Sequence, residues 1–106
     1  MNKARNWDEF RAALDLQGIT CTNIVYADRE GHISHLGNGL LPKRDPTYYW
    51  SGILPCDTSA TLWENDFYPI DQLVPILDPP SGYVYNCTHT PFLSTAPEDN
   101  PDTTAI

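Results

Sequence analysis

All ten prolines of this chain fall after residue 41. Proline lacks a backbone N–H and holds φ near about −65°, so it ends helices and is kept out of the middle of a sheet. The chain therefore has two unequal prospects. Residues 1–41 are free to form a helix and paired strands. Beyond them, Pro42, Pro46, Pro55, Pro69, Pro75, Pro79, Pro80, Pro91, Pro97 and Pro101 leave little room for regular structure, and turns and extended loops are expected. Loops of this length with no structure of their own are uncommon inside a compact domain. They usually coat another body of protein. The expected fold class is α+β: one short helix, one β-hairpin and long proline-rich loops, in a single segment of 106 residues.

Residues 6–17 read as the helix. Asn6 is a capping residue, and Glu9 three positions later completes a capping-box pattern. Asp8 and Glu9 suit the positive end of the helix dipole. Trp7, Phe10 and Leu14 share one helical face, and Gly18 is placed to end the helix. A helix this short needs something to pack against. Residues 22–37 read as a hairpin. Thr22–Asp28 is rich in β-branched and aromatic types, Asp28-Arg29-Glu30-Gly31 is a turn, and His32–Leu36 returns. Ile24 and Tyr26 alternate with Val25 and Ala27, which predicts a strand covered on both faces within a larger sheet.

Residues 38–95 are expected to be loop-rich, with one helical turn at Asp71–Val74 and a short strand at Gly82–Asn86. Residues 96–106 read as a tail that adds nothing to the core. Ile53, Leu54, Leu62, Trp63, Phe67, Tyr68, Ile70, Leu73, Val74, Ile76 and Leu77 all need cover, and so few elements supply little of it.

Fourteen acidic and six basic side chains give a formal charge of −8. Such a chain repels phosphate backbones and anionic lipid, so neither nucleic acid nor a membrane surface is an expected partner. No apolar run approaches the ~18 residues of a membrane span. The opening Met1-Asn2-Lys3-Ala4-Arg5-Asn6 lacks the apolar stretch of a signal peptide. Cys21, Cys56 and Cys87 form no C-x-x-C pair and allow at most one disulfide; free, buried or half-buried thiols are expected.

Chemistry is thinly signalled. His32 and His35 stand in an H-x-x-H spacing, with His89 further on, which raises a small metalloenzyme as one reading. On a strand, though, positions 32 and 35 point to opposite faces and do not chelate one ion. Asp28 and Glu30 straddle the hairpin turn, where carboxylates usually bond local amides. No serine sits in a G-x-S-x-G context, and Gly37-x-Gly39 is too short for a phosphate loop. Nothing in this stretch assembles a self-sufficient active site.

Four segments carry a larger pattern: Ala4-Arg5-Asn6-Trp7-Asp8-Glu9-Phe10; Asn23-Ile24-Val25-Tyr26-Ala27-Asp28-Arg29-Glu30-Gly31-His32-Ile33; Trp50-x-Gly52-Ile53-Leu54-Pro55; and Pro79-Pro80-Ser81-Gly82-Tyr83-Val84, continuing through Asn86-Cys87 to Thr90-Pro91-Phe92. In order and spacing they resemble the penicillin acylase family of N-terminal-nucleophile amidohydrolases. The resemblance implies a four-layer αββα fold with autocatalytic processing, of which this chain is a partial piece internal to the β-chain. It implies hydrolysis of N-acyl linear amides through an acyl-enzyme. The nucleophile is a serine or cysteine at the new N-terminus of the β-chain, with its own α-amino group as base. Oxyanion donors hold the tetrahedral intermediate. That nucleophile would lie upstream of Met1, so this chain is expected to be inactive alone.

Residue by residue, the resemblance places Thr22 and Asn23 at the substrate: the residue before Asn23 lines the acyl pocket, and a threonine makes it more polar. Thr88 stands where the family has an oxyanion-binding asparagine, so Asn86-Cys87-Thr88 replaces Asn-Cys-Asn. The chemistry itself requires no cofactor. A structural calcium is implied in the parent enzyme, with the Pro46 carbonyl and the Asp99 carboxylate as partial ligands. Implied partners are the remainder of the acylase chain or further copies of this one, and a small N-acyl amide substrate. Family members are commonly periplasmic or secreted. The alternative is a small non-catalytic self-associating or binding module derived from an acylase segment.

Overall fold

The computed structural model describes residues 1–102 apart from Thr20 and Val74. Part of the expected tail, and the last position of the expected 71–74 turn, lie outside the described residues. The molecule is a flat slab of 53 × 32 × 19 Å with a radius of gyration of 15.9 Å. A compact domain of this length would have about 13 Å.

Helix α1 (Trp7–Leu14) begins at its cap: Asn6 is extended (φ −152°) and its side chain accepts from the Glu9 N–H at 2.9 Å. Glu9 in turn accepts from the Arg5 N–H at 2.9 Å. The helix ends three residues earlier than the sequence pattern suggests. Gln17, not Gly18, takes the left-handed conformation (φ 49°), and its N–H closes on the Leu14 carbonyl at 2.9 Å. The Gln17 side chain reaches the Tyr68 carbonyl, a tertiary bond that a glycine could not offer.

Strands β1 (Thr22–Ala27), β2 (Ile33–Asn38) and β3 (Ile76–Leu77) form one antiparallel sheet in the order β1-β2-β3. The β1/β2 register runs from Thr22 opposite Asn38 to Ala27 opposite Ile33. Gly31 supplies the positive φ (92°) of the connecting turn. Asp28 Oδ1 accepts from the N–H groups of Glu30 and His32, as a turn carboxylate should.

Period-two alternation gives the sheet two faces. On one, Leu36 packs with Leu14, Ile70 and Leu73 into the core, and Phe10, Ile24 and Tyr68 close around it. Phe10 and Trp7 lie 4.9 and 5.1 Å from the Tyr26 ring, which holds α1 on that face. On the other, Pro91 passes so close to Gly37 that a Cβ there would stand 3.0 Å from its ring. A side chain at Gly37 would force Pro91 away from the sheet. Ser94 covers His35 next to it. That cover stops at β2. Val25 is 50% exposed and Ala27 is exposed, so β1 is covered on one face only, against the expectation of a strand buried on both.

Other expectations also shift. The helical turn is a 3₁₀ turn at Ile70–Gln72, one residue early. Residues 82–86 form no strand: Tyr85 N–H to the Ser94 carbonyl and the Thr95 hydroxyl to the Tyr83 carbonyl are the contacts that hold them, and these do not make a ladder. The outer edge of β2 is taken instead by Ile76–Leu77, a pair too short to show any strand periodicity. All three cysteines are free, as expected, but exposed, because each sits on a connecting segment rather than in the core. Ile70, Leu73 and Ile76 find cover, whereas Ile53, Leu62 and Trp63 remain exposed.

Candidate functional site

Cys21, Thr22 and Asn23 at the start of β1, Asn38 at the end of β2, and Asn86 and Thr88 from the distant loop line one polar cavity of about 260 Å³. The hairpin supplies the first wall because Thr22 and Asn38 are register partners. The Pro91–Gly37 contact brings the second wall down beside it.

Asn86 is the hub. Its Oδ1 accepts from the Thr88 N–H at 3.0 Å, an Asx-type turn, and from Asn23 Nδ2 at 3.2 Å. Asn23 Nδ2 also donates to the His89 carbonyl at 3.1 Å. Both donor hydrogens of Asn23 are thus engaged with the loop, and the amide ties β1 to it. Asn38 donates to the Ile19 carbonyl at 2.7 Å and holds the chain entering β1. Thr88 has its N–H occupied by Asn86, while its hydroxyl makes no hydrogen bond among the described residues. Thr88 (φ 60°) and Cys21 (φ 52°) both occupy the left-handed region. For a β-branched threonine that conformation is strained, and such strain gathers at functional sites.

The cavity wall is therefore made of amides, hydroxyls and the Cys21 thiol, with no carboxylate or ammonium. The arrangement offers hydrogen-bond donors and acceptors to a neutral polar group or a developing oxyanion. It contains no paired base and nucleophile.

Two histidines stand behind this loop. His89 Nδ1–H donates to the Thr90 carbonyl at 3.1 Å, and its ring meets Tyr85 edge-on at 4.9 Å. His35 is fully buried, with Nε2 3.3 Å from the Ser94 hydroxyl. Burial, reinforced by the neighbouring His89, holds the His35 pKa below its ordinary value. His32 is elsewhere: it is exposed and bonded to Asp78 at 2.7 Å, and that bond raises its pKa. The H-x-x-H pair does not converge.

At the hairpin turn, ligand atoms of Asp28, Glu30 and His32 lie within 4.8 Å of one another. The Asp28 carboxylate is already committed to the turn N–H groups and the Tyr26 hydroxyl, and His32 Nδ1 to Asp78. Partial burial opposes ionisation of Asp28, but the His32 N–H, the Tyr26 hydroxyl and the Glu30 N–H outweigh it and hold the carboxyl below the usual range. The Tyr26 hydroxyl, partly desolvated and bonded to Asp28, is pushed up to about 12. Asp28 is a fixed turn acceptor rather than a general base.

Pro46 and Asp99 stand on different loops. Pro46 lies in the loop where Asp45 Oδ1 accepts from Thr47 and the Asp45 carbonyl accepts from Trp50 Nε1. Asp99 accepts from the Ser81 N–H at 2.9 Å, beside a groove lined by Ile76, Pro79, Pro80 and Pro101. Asp99 joins no group of three potential metal ligands among the described residues.

Reading the sequence singled out Thr22, Asn23 and Thr88 as site residues, and the fold brings all three to one cavity. It overlooked Asn86, Asn38 and Cys21. Asn86 carried a usable signal, since an asparagine two residues before an exposed turn position is a standard Asx-turn former. Asn38 and Cys21 carried none, because their place depends on register and on a positive φ.

The profile of the penicillin amidase family matches residues 1–104 of the 106. That match takes in both walls of the cavity, and the chain belongs to the penicillin amidase family.

Proposed function

We propose that this chain forms the acyl-pocket and oxyanion wall of an amidohydrolase that cleaves N-acyl linear amides, and that it is inactive by itself. The reading rests on one observation: Thr22, Asn23, Asn86 and Thr88, far apart in sequence, line a single uncharged polar cavity. In the complete αββα enzyme the attacking group is the N-terminal serine or cysteine of the β-chain, supplied outside this chain with its α-amino group as base. The role left to these residues is to seat the acyl group and to receive negative charge on the carbonyl oxygen as the tetrahedral intermediate forms.

Thr88 is the candidate donor. Its hydroxyl is free to point at the oxyanion, whereas its N–H is spent on Asn86. Threonine is shorter than the family's asparagine, so its donor stands farther back and stabilises the charge less. Thr22 gives the pocket a hydroxyl that favours acyl chains able to hydrogen-bond. Asn23 acts by tying the 86–89 loop to β1.

The decisive experiment is T88N in a full-length enzyme that carries this segment behind its nucleophile. One oxyanion donor is worth about 3 kcal/mol, so kcat should rise by at least about tenfold. An unchanged kcat removes Thr88 from the oxyanion. The isolated chain should hydrolyse nothing.

A structural calcium, if the parent holds one, draws at most the Pro46 carbonyl and the Asp99 carboxylate from here. Calcium takes six to eight oxygens, so most of its shell must come from elsewhere. The second reading, a self-associating module, is favoured by the exposed Ile53, Leu62, Trp63 and Tyr49. Such surface drives association with the rest of the acylase or with another copy. A stable, monodisperse oligomer with protected loops would favour the module.

A further inference from the structure

In a chain with fourteen acidic and six basic side chains, a cation has carboxylates in surplus. Arg5 pairs with Glu9, Arg11 with Asp71 and Lys43 with Asp66. Lys3, Arg29 and Arg44 form no ion pair with a carboxylate among the described residues, and of these three Arg44 is the one set over an aromatic ring. Its guanidinium carbon stands 5.1 Å from the centre of the Trp50 ring instead. The adjacent carboxylate is turned away: Asp45 Oδ1 accepts the N–H and the hydroxyl of Thr47 at 2.9 and 2.7 Å. A guanidinium stacked on an indole keeps its edge, and its N–H donors, open to a ligand.

Arg44 and Trp50 are two sides of a cavity of about 220 Å³ completed by Leu41, Pro42 and Tyr68. Its walls are fixed. Trp50 Nε1 donates to the Asp45 carbonyl at 2.7 Å. The Tyr68 N–H donates to the Leu41 carbonyl and the Lys43 N–H to the Asp66 carbonyl, each at 2.9 Å, around the bridge of Pro42 with Phe67. The Lys43 ammonium, 5.9 Å from the Tyr68 ring centre, is already neutralised by Asp66 at 2.9 Å. One unneutralised cation therefore faces an aromatic and aliphatic box.

We propose that this cavity binds a small organic acid, a carboxylate carried on an apolar ring-sized body, with Arg44 taking the carboxylate and Trp50, Tyr68, Leu41 and Pro42 taking the ring. A guanidinium edge matches a carboxylate in a two-bonded fork. The cavity is smaller than the ~300 Å³ of drug-sized pockets, which suits a ligand the size of benzoate. It shares no lining residue with the polar cavity at Thr88, so the site stands whether or not the amidohydrolase reading does.

The test is a ¹H–¹⁵N NMR titration of the 106-residue chain with benzoate, with benzamide as the neutral isostere. Benzoate should shift the Trp50 indole N–H and the Arg44 Nε–H signals saturably, with a Kd on the order of 1 mM. Benzamide should bind at least about tenfold more weakly, and R44Q should weaken benzoate by about tenfold with the remaining signals in place. R44K keeps the charge but not the fork, and should lose most of the same affinity. Benzamide binding as tightly as benzoate overturns the proposal. So do unchanged affinity in R44Q, shifts centred on Thr22 and Thr88, or no saturable shift up to about 20 mM.

Discussion

In residues 22–38 the backbone meets itself across a six-residue strand ladder, whereas residues 42–102 are held by isolated backbone bonds, a two-residue pairing with β2 and side-chain acceptors. The hairpin places six residues of β1 against six of β2 with its turn closed by Asp28. The proline-rich part has no such run. Asn100 Oδ1 takes the N–H groups of Ser94 and Thr95, Asp45 takes that of Thr47, Asp99 that of Ser81, and Asp78 reaches across to that of Ile33. Threonines at 58 and 90 cap the short 3₁₀ turns that follow them. Proline breaks ladders, and short polar side chains then supply the acceptors that a neighbouring strand would have given. The lesson is that a loop-rich half can still be specified residue by residue, with many of its fixed points resting on a single side chain.

The comparison can be broken most severely in the core that both halves share. Leu36→Ala empties a position packed on Leu14, Ile70 and Leu73, and should cost about 2–5 kcal/mol in urea unfolding. Leu16→Ala, at an exposed site, should change stability by less than about 0.5 kcal/mol. Equal effects would mean that the two halves share no core. Next comes a fixed point of the second half. Asn100→Ala leaves the N–H of buried Ser94 without its acceptor and should cost about 1–3 kcal/mol. A negligible change would show that the loop does not depend on single acceptors.

A smaller effect, of opposite sign, belongs to the cavity. Asparagine tolerates the left-handed conformation better than threonine, so T88N should stabilise the chain by about 0.5–1 kcal/mol, whatever it does to catalysis. The smallest is a slope against pH. His35 titrates below the ordinary 6.5 in the folded chain, because it is buried and faces His89. As pH falls through about 6.5 the unfolded chain binds a proton there and the folded chain resists, so stability declines. His32, raised by Asp78, acts the other way: its contribution is full below 6.5 and fades as pH climbs through the raised value. Comparing urea midpoints at about pH 7.5 and 5.5 in wild type and His35→Gln separates the two, since only loss of His35 should reduce the acid-side decline.

The sequence made local chemistry readable and left distant geometry dark. The Asn6 cap, the Trp7–Phe10–Leu14 face and the Gly31 turn each follow from neighbours within a few residues. Helix termination at Gln17 did not, because its side chain is held by Tyr68, fifty-one positions away. β3 is two residues between Pro75 and a left-handed Asp78, too short for any periodicity. The bare outer face of Val25 was hidden by a pattern that suits burial on both sides. For the cavity, the family resemblance picked out Thr22, Asn23 and Thr88. That Asn86 organises them could be seen only once both walls were in place.

The Asn23 amide bridges to Asn86 and His89 across 63 and 66 positions of chain. Closing so long a loop is slow relative to a hairpin, because the entropy is lost before the contact forms. The cavity should therefore be assembled late in folding, after β1 and β2 have paired. The reverse also follows. The 86–91 segment can lift away while the hairpin stays intact, so amide exchange at Thr88 should outpace exchange at Leu36. A binding wall that detaches before its scaffold melts is one that a partner, a substrate or the remainder of the enzyme can hold in place by binding alone.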